Sequence, residues 1–480
     1  MMRDMLNAAT PAAAAAHRPE SLPAMIDLDL VRKFDKLGPR YTSYPTADRM
    51  TEAFGPDAFA RAMAERAADK SSGPLSLYVH LPFCNTICFY CGCNKVVTRD
   101  KSRAGRYLEY LEREIAMQAA MAGENRRVRQ MHWGGGTPTF LSDDELRAVW
   151  AMLASRFDFA KDGEYAIEID PRSCSPETIG LLAGLGFNRA SFGVQDFDPA
   201  VQRAVNRIQP YEMTRDVIAA ARAHGFKSLN ADLIYGLPKQ SVSSFTDTVE
   251  RVLELRPDRI ALYSYAHLPQ RFKPQRRIVD ADLPSAAEKL AIMARAIELF
   301  NRAGYVYIGM DHFALPDDEL ARAQRDGTLT RNFQGYSVGP DCDILSFGVS
   351  AIAKVGRTYS QNARDIPAYY ETIEAGRLPV QRGIELTPDD LLRRETIVDV
   401  MCQFGIATTD LGARHGVDFD AYFAGEIAAL AEYEDLGLVE RAPGWIGVTP
   451  KGRFFVRAIA AVFDKYLRAA QTGATYSRII

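Results

Sequence analysis

The sequence predicts an α/β protein: a complete or partial (β/α) barrel, preceded by an irregular lead-in and followed by an α-rich C-terminal domain. Two observations carry this. Between residues 75 and 303, apolar runs of strand length alternate with segments of helical period, and that alternation implies parallel strands joined by right-handed crossovers. After about residue 365 the alternation stops and helical segments dominate.

Taken in order, the lead-in covers 1–55. Its PRYTSYPTA stretch, Pro39–Ala47, is too rich in Pro, Ser and Thr for a long regular element. The residues up to Pro19 read as a disordered tail: the alanines of 11–16 are too weakly hydrophobic for a secretory core, and Pro11 interrupts them. The barrel is expected over 56–365. Its strands are Leu75–His80, Gln130–Trp133, Tyr165–Ile169, Arg189–Phe192, Ser228–Leu233 and Arg259–Tyr263. Its helices are Tyr107–Met121, Asp143–Phe157, Pro176–Leu185, Met213–His224, Val242–Leu255 and Ala286–Ala303. The C-terminal domain, 366–480, shows helices at Asp389–Val400, Asp420–Leu436 and Gly452–Leu467 around a short hairpin at Leu438–Val448, a winged-helix-like order. No fixed-period repeat is present.

The chain has 480 residues, 47% apolar and 25% charged, the profile of a globular protein with a large core. A net charge of −3 gives no global basic field, which argues against a nucleic-acid partner. An anionic substrate must therefore meet a local basic pocket. No apolar run is long enough to span a bilayer. The seven cysteines are an odd number; four lie between Cys84 and Cys93, while Cys174, Cys342 and Cys402 are scattered. That is no disulfide framework, and the tight group reads as a metal site in a reducing, cytoplasmic compartment.

Leu81–Asn94 reads LPFCNTICFYCGCN, placing Cys84, Cys88 and Cys91 in a C-x3-C-x2-C run with Cys93 two residues on. Thiolates suit iron–sulfur clusters or zinc. Three of them from one loop can wrap three corners of a cubane and leave the fourth iron open to a small molecule, whereas closed electron-transfer clusters take four cysteines at other spacings. A zinc knuckle would use all four sulfurs, but zinc sites come as two separated pairs. In parallel α/β folds the ligand sits at the C-terminal ends of the strands. The expected strand ends there carry the Gly134–Thr139 GGGTPT turn, Glu168 and Asp170, Gln195 and Asp196, Asp232, and Ala266 with His267. Arg203 and Arg207 are expected on one helix face, four residues apart.

The C-x3-C-x2-C loop, with an aromatic residue before its last cysteine, resembles the radical S-adenosylmethionine superfamily. Within it, PRYTSYPTA, YVHLPFCNTICFYCGCNK, HWGGGTPT, EIDPR, GVQDF, VNR, DLIYGLPKQ, YAHLP, GMDHFA and RNFQGY resemble the oxygen-independent coproporphyrinogen III oxidase family from about Pro39 to the C-terminal tail. The resemblance implies a partial (β/α)6 barrel, a monomer, and a [4Fe–4S] cluster on Cys84, Cys88 and Cys91. It also implies two S-adenosylmethionine molecules. Tyr78, Gly135, Glu168 and Ile352 match contacts of the first. Tyr90, Gly136, Thr137, Gln195, Arg207, Asp232 and Ala266 match contacts of the second. Cys93 matches a cysteine that is required without ligating the cluster. The implied reaction is oxidative decarboxylation of two propionates of coproporphyrinogen III to vinyl groups, giving protoporphyrinogen IX, with an electron donor and an electron acceptor still to be identified. For the substrate carboxylates, Arg40, Arg271, Lys273, Arg276 and Arg277 are candidates, each also explicable as a solvated surface charge. A haem-binding chaperone of the same superfamily, a radical methyltransferase or methylthiotransferase, and a zinc module are the competing readings. The C-x-C ending and the PRYTSYPTA lead-in favour the enzyme over the chaperone.

Overall fold

The computed structural model describes residues 27–34, 38–339 and 341–469; the tail expected up to Pro19 lies outside them. One twelve-stranded sheet organises the molecule. Its centre is β1 (Leu75–Leu81), β2 (Arg127–Gly135), β3 (Asp158–Ile169), β4 (Arg189–Gln195), β5 (Ser228–Tyr235) and β6 (Arg259–Ser264). Each pairs in parallel with the next in chain order. The crossovers are the helices α1 (Ser102–Met121), α2 (Asp143–Ala154), α3 (Pro176–Gly184), α4 (Tyr211–Ala223) and α5 (Val242–Leu255), with α6 (Ala286–Arg302) after the last strand. All six expected strands and six expected helices lie on these elements, with shifted ends. Strands covered on both faces bury residues of both; accordingly Leu75, Leu77 and Val79 on one face of β1 are fully buried, Ser76 and His80 on the other face are buried too, and Trp133 on β2 is fully buried.

Beyond α6 come strands not expected from the sequence: β7 (Val306–Gly309), β8 (His312–Ala314), the separate hairpin β9 (Thr330–Asn332) and β10 (Gly335–Ser337), and β11 (Asp343–Phe347), β12 (Ile352–Val355), β13 (Thr358–Asn362) and β14 (Val380–Glu385); most are only three to five residues long, and β13 is polar. The sheet order is β14-β13-β12-β11-β1-β2-β3-β4-β5-β6-β8-β7. β11 is parallel to β1, whereas the outer strands are antiparallel. The two end strands do not pair with each other, so the barrel is partial. The division expected at residue 365 falls between β13 and β14 of this one sheet; the part outside the sheet begins after Glu385. There, helix Pro388–Gln403 leads to further helices and to a three-stranded sheet of Gly405–Ala407, Trp445–Val448 and Val439–Ala442. The expected helix 420–436 is interrupted at Phe423, and that expected at 452–467 is broken into a 3₁₀ turn and two short helices.

Where α1 meets β11, a buried carboxylate replaces apolar packing. Glu114 accepts from Tyr369 OH (2.6 Å), Gly348 N (2.7 Å), Asn362 Nδ2 (2.7 Å) and Gln118 Nε2 (3.0 Å). Burial outweighs these donors and raises its pKa to about 7. A carboxyl with a raised folded pKa stabilises the fold when protonated, and that contribution is lost as pH rises from its unfolded value through about 7. Glu114→Gln should therefore gain on the native protein as pH is taken from 5 to 8, by on the order of 2–3 kcal/mol. Melting curves of both proteins across that range check this; parallel curves would contradict it.

Candidate functional site

The cysteine loop leaves the C-terminal end of β1 and is stitched to its neighbours by backbone. Phe83–Cys84 forms a two-residue parallel ribbon with Val96–Val97. Val96 N donates to Pro82 O (2.7 Å) and Thr98 N to Cys84 O (3.0 Å). From the turn after β2, Gly136 N donates to Leu81 O and Thr137 N to Phe83 O, both at 2.9 Å. From the segment after β4, Val205 O accepts from Phe89 N (2.9 Å), and Asn206 Nδ2 donates to Ile87 O (2.7 Å). A Cβ on Gly136 would lie 2.6 Å from Pro82 and Phe83 backbone oxygens, a contact that only a backbone shift relieves. Gly136→Ala should thus displace the cysteine loop: iron bound after anaerobic reconstitution falls severalfold while far-ultraviolet circular dichroism is unchanged. Full iron loading in this variant would contradict the close-contact argument.

Cations surround the thiols. Arg172 Nη2 and Arg207 Nη1 approach Cys88 Sγ at 3.4 and 3.5 Å, and both are held by Asp170, at 2.6 and 3.1 Å. Lys95 Nζ donates to Cys91 O (3.2 Å). The hydrogen bond from Cys93, with the Lys95 charge assisting, brings the Cys91 thiol down to about 6, and the same contact pushes Cys93 up. Burial and the neighbouring Cys91 and Cys88 raise Cys84 to about 12. Among the described residues no three His, Cys, Asp or Glu side chains close on one point as around a single ion. Three thiols spaced along a wrapped loop, faced by guanidinium and ammonium groups, are a donor set that fits an anionic iron–sulfur cluster.

Facing this loop, side chains at alternate strand positions converge. On β1, Tyr78 OH and His80 Nδ1 are 3.1 Å apart, and His80 Nε2 reaches Asn94 O at 3.0 Å, tethering the far end of the loop. On β2, the His132 ring stacks on Tyr78 (5.9 Å, 13°). On β3, Glu168 bonds His132 Nε2 (3.2 Å) and accepts from Gly135 N (3.1 Å). Burial alone would raise the Glu168 pKa, but the His132 and Gly135 contacts overcome it and hold the carboxyl below its ordinary value. A Cβ on Gly134 would meet the Glu168 carboxyl carbon at 2.8 Å, so the first glycine of the turn makes room for this side chain. Asp232 on β5 accepts from Ser191 Oγ and Asn230 Nδ2, each at 2.8 Å; burial raises its pKa to about 6. Glu168, Asp232 and His132 share the lining of a cavity of about 200 Å³.

The structure thus gathers Tyr78, Gly135, Gly136, Thr137, Glu168 and Arg207 beside Cys84, Cys88, Cys91 and Cys93. Tyr90 sits within the loop, just before Cys91, and accepts from Gln275 Nε2 through its carbonyl (3.0 Å). Gln195 ends β4 at φ 68°, where the β4–β5 register slips. Ala266 lies just past β6 on a second cavity of about 340 Å³, and Ile352 opens β12. Three expectations change. The helix carrying Arg203 stops at Ala204, and a left-handed Asn206 turns the chain, so Arg203 is exposed while Arg207 is buried and donates to Gly193 O (2.6 Å). Asp196 is not on the rim: it is buried behind β4, accepting from Gln240 Nε2 (2.6 Å) and Thr248 Oγ1 (2.8 Å). Arg271, Lys273, Arg276 and Arg277 are exposed, with contacts such as Arg277 over the Phe89 ring; of the five candidates only Arg40 lines the larger cavity. His80, His132, Arg172 and Lys95 were not singled out from the sequence. For the two histidines the signal was the two-residue spacing of Tyr78 with His80 and of His132 with Gly134, which puts each pair on one face of a strand; Arg172 and Lys95 carried no such signal.

A parallel α/β sheet with a three-cysteine loop after its first strand defines a radical S-adenosylmethionine protein, and the Radical SAM superfamily model matches residues 78–252. The HemN C-terminal domain model matches residues 386–455. The chain is 49% identical over 456 residues to the oxygen-independent coproporphyrinogen III oxidase of Pseudomonas aeruginosa, covering 95% of this chain and 98% of that one. It is 46% identical over 454 residues to the Escherichia coli K12 protein of the same name, again covering 95% and 98%. The solved structure described as coproporphyrinogen III oxidase (HemN) from Escherichia coli, a radical SAM enzyme, superposes with a TM-score of 0.88 at 45% identity, covering 93% of this chain and all of that one. The chain belongs to the oxygen-independent coproporphyrinogen III oxidase family.

Proposed function

We propose that this chain converts coproporphyrinogen III to protoporphyrinogen IX without oxygen, turning two propionates into vinyl groups. Each propionate gives up one hydrogen atom from the carbon attached to the pyrrole, one CO2 and one electron, the last to a separate acceptor. Support comes above all from kinship along 95% of the chain, C-terminal domain included, with relatives of that name. When bound, a [4Fe–4S] cluster together with S-adenosylmethionine supplies the 5′-deoxyadenosyl radical that such an unactivated carbon requires.

The chain's own residues then have definite tasks. Cys84, Cys88 and Cys91 hold the cluster, and Arg172, Arg207 and Lys95 balance its negative charge. Glu168, kept ionised by His132 and Gly135 N–H, takes the ammonium of the first S-adenosylmethionine, with Tyr78 and Gly135 beside it and Ile352 near its adenine. Tyr90, Gly136, Thr137, Gln195, Arg207, Asp232 and Ala266 take the second. Cys93 stays unligated and serves turnover. The part of the chain after Glu385 closes the site from water, which protects a reactive intermediate. Among the described residues no helix is long and apolar enough to cross a membrane, and the protein acts as a cytoplasmic monomer.

The test is anaerobic incubation of reconstituted protein with coproporphyrinogen III, S-adenosylmethionine and a reductant, followed by mass analysis of the tetrapyrrole. Loss of two CO2 per macrocycle is expected. Stoichiometric haem binding without decarboxylation, or a methylated product, would overturn the reading.

A further inference from the structure

Three sequence segments with no task so far, PRYTSYPTA, GMDHFA and RNFQGY, meet at one place. Arg40, from the lead-in, lies over the Tyr263 ring at 5.5 Å and pairs with Asp311. Tyr263 meets the His312 ring edge-on (6.1 Å), and His312 meets Tyr336 edge-on (5.3 Å). Arg331, paired with Tyr336 across the β9–β10 hairpin, lies over that ring at 4.6 Å. Two guanidiniums therefore flank one aromatic wall. A third, Arg457, comes from the C-terminal part and donates through Nε to Pro39 O (3.1 Å) and through Nη2 to Gly38 O (2.8 Å), the residues just before Arg40.

Arg40 and Arg457 both line the cavity of about 340 Å³ that also reaches Ala266. Its other walls are largely apolar, including Leu262, Met293 and Phe313; the charged exceptions are Asp311, which pairs with Arg40, and Lys289, which donates to Tyr265 O (2.7 Å). Arg331 lies outside that lining, on a separate cavity of about 270 Å³, and has Nε and Nη1 buried without a hydrogen-bond partner, a costly state for a guanidinium. The three arginines also feel one another: burial, then Arg40 and Arg331, lower the Arg457 pKa to about 9, while burial and Arg331 lower that of Arg40. Mutually repelling buried cations beside an apolar cavity are stabilised by an anion with an apolar body.

We propose that this cavity, closed jointly by lead-in, barrel and C-terminal part, is the tetrapyrrole site, that Arg40 and Arg457 on its wall hold carboxylates of the macrocycle, and that Arg331, at the far end of the aromatic wall, holds a carboxylate that extends beyond it. This rests on the function proposed above and adds the residues that recognise the substrate. It also gives the lead-in and the C-terminal part a shared task, because each contributes a cation that the barrel alone lacks.

The probe is coproporphyrin III, the oxidised fluorescent macrocycle, titrated into the anaerobically reconstituted full-length protein with S-adenosylmethionine present. Arg331→Gln and Arg457→Gln should each weaken binding about tenfold or more, since a lost charged hydrogen bond is worth that much. Arg331→Lys should recover part of it. Coproporphyrin tetramethyl ester should bind the wild type weakly and be indifferent to the substitutions. Iron content and melting temperature, measured on every variant, separate a lost anchor from a misfolded protein. Wild-type affinity for coproporphyrin III in well-folded Arg331→Gln and Arg457→Gln overturns the proposal while leaving the function intact. A wild type that binds S-adenosylmethionine but neither binds nor converts the tetrapyrrole overturns the function itself.

Discussion

Replacing Cys84, Cys88 or Cys91 by Ala, one at a time, should strip the protein of iron and of its brown absorption, whereas Cys93→Ser should retain both and lose turnover. The four cysteines sit within ten residues of one another; Cys84, whose thiol is raised to about 12 by burial, is assigned by its spacing, and the surroundings of the other three separate them. Cys88 Sγ is faced by two guanidiniums, and Cys91 is drawn toward its thiolate by Cys93 and Lys95, which suits ligands. Cys93 lies at the exposed end of the loop, and its thiol is pushed away from ionisation by the Cys91 it bonds. Iron and sulfide analysis together with visible absorption decide the matter. Loss of iron from Cys93→Ser would show that a fourth sulfur ligates, and the open corner on which the chemistry depends would be gone.

Glu168→Gln should leave the cluster in place and sharply weaken productive use of S-adenosylmethionine. The substitution keeps the shape and a hydrogen bond to Gly135 N but removes the charge that would meet an ammonium group. The Glu168 side chain is 44% exposed, so the loss is that of a charge-assisted hydrogen bond, about 1.5–3 kcal/mol, and cleavage at limiting S-adenosylmethionine should fall about ten- to a hundredfold. Single-turnover formation of 5′-deoxyadenosine in the dithionite-reduced protein measures this, with iron content as the control. Cleavage within a fewfold of wild type would remove Glu168 from the proposed site. His132→Ala should show a smaller defect of the same kind, since it acts through Glu168 rather than on the cofactor.

The parallel core was legible because its strands are near-continuous apolar runs and its helices carry a clear 3.6-residue period. The strands after α6 were not. β13 reads TYSQN and is buried along its whole length, so its polar groups are satisfied inside the sheet, as with Tyr359 OH on Tyr44 O (3.2 Å) and Gln361 Nε2 on Ser350 O (3.1 Å); no apolar pattern announces such a strand. Of the site, the cysteine loop and the GGGTPT turn were legible as compact motifs. Arg207 was placed on the wrong kind of element because VQRAVNR carries a helical spacing, and only the left-handed Asn206 shows that the chain turns back. Arg331 and Arg457 could not be read at all, since what distinguishes them is convergence across more than four hundred residues of chain between Arg40 and Arg457.

The backbone stitching of the cysteine loop bears on how the protein matures. In a small zinc domain the metal supplies the folding energy and its removal unravels the chain. Here the loop is pinned to three neighbouring segments by amide hydrogen bonds that involve no thiol, contacts that do not depend on metal, so the expected order is folding first and entry of inorganic iron and sulfide second. Air damage should accordingly bleach the protein without unfolding it, and resupplying both elements should restore it without a refolding step.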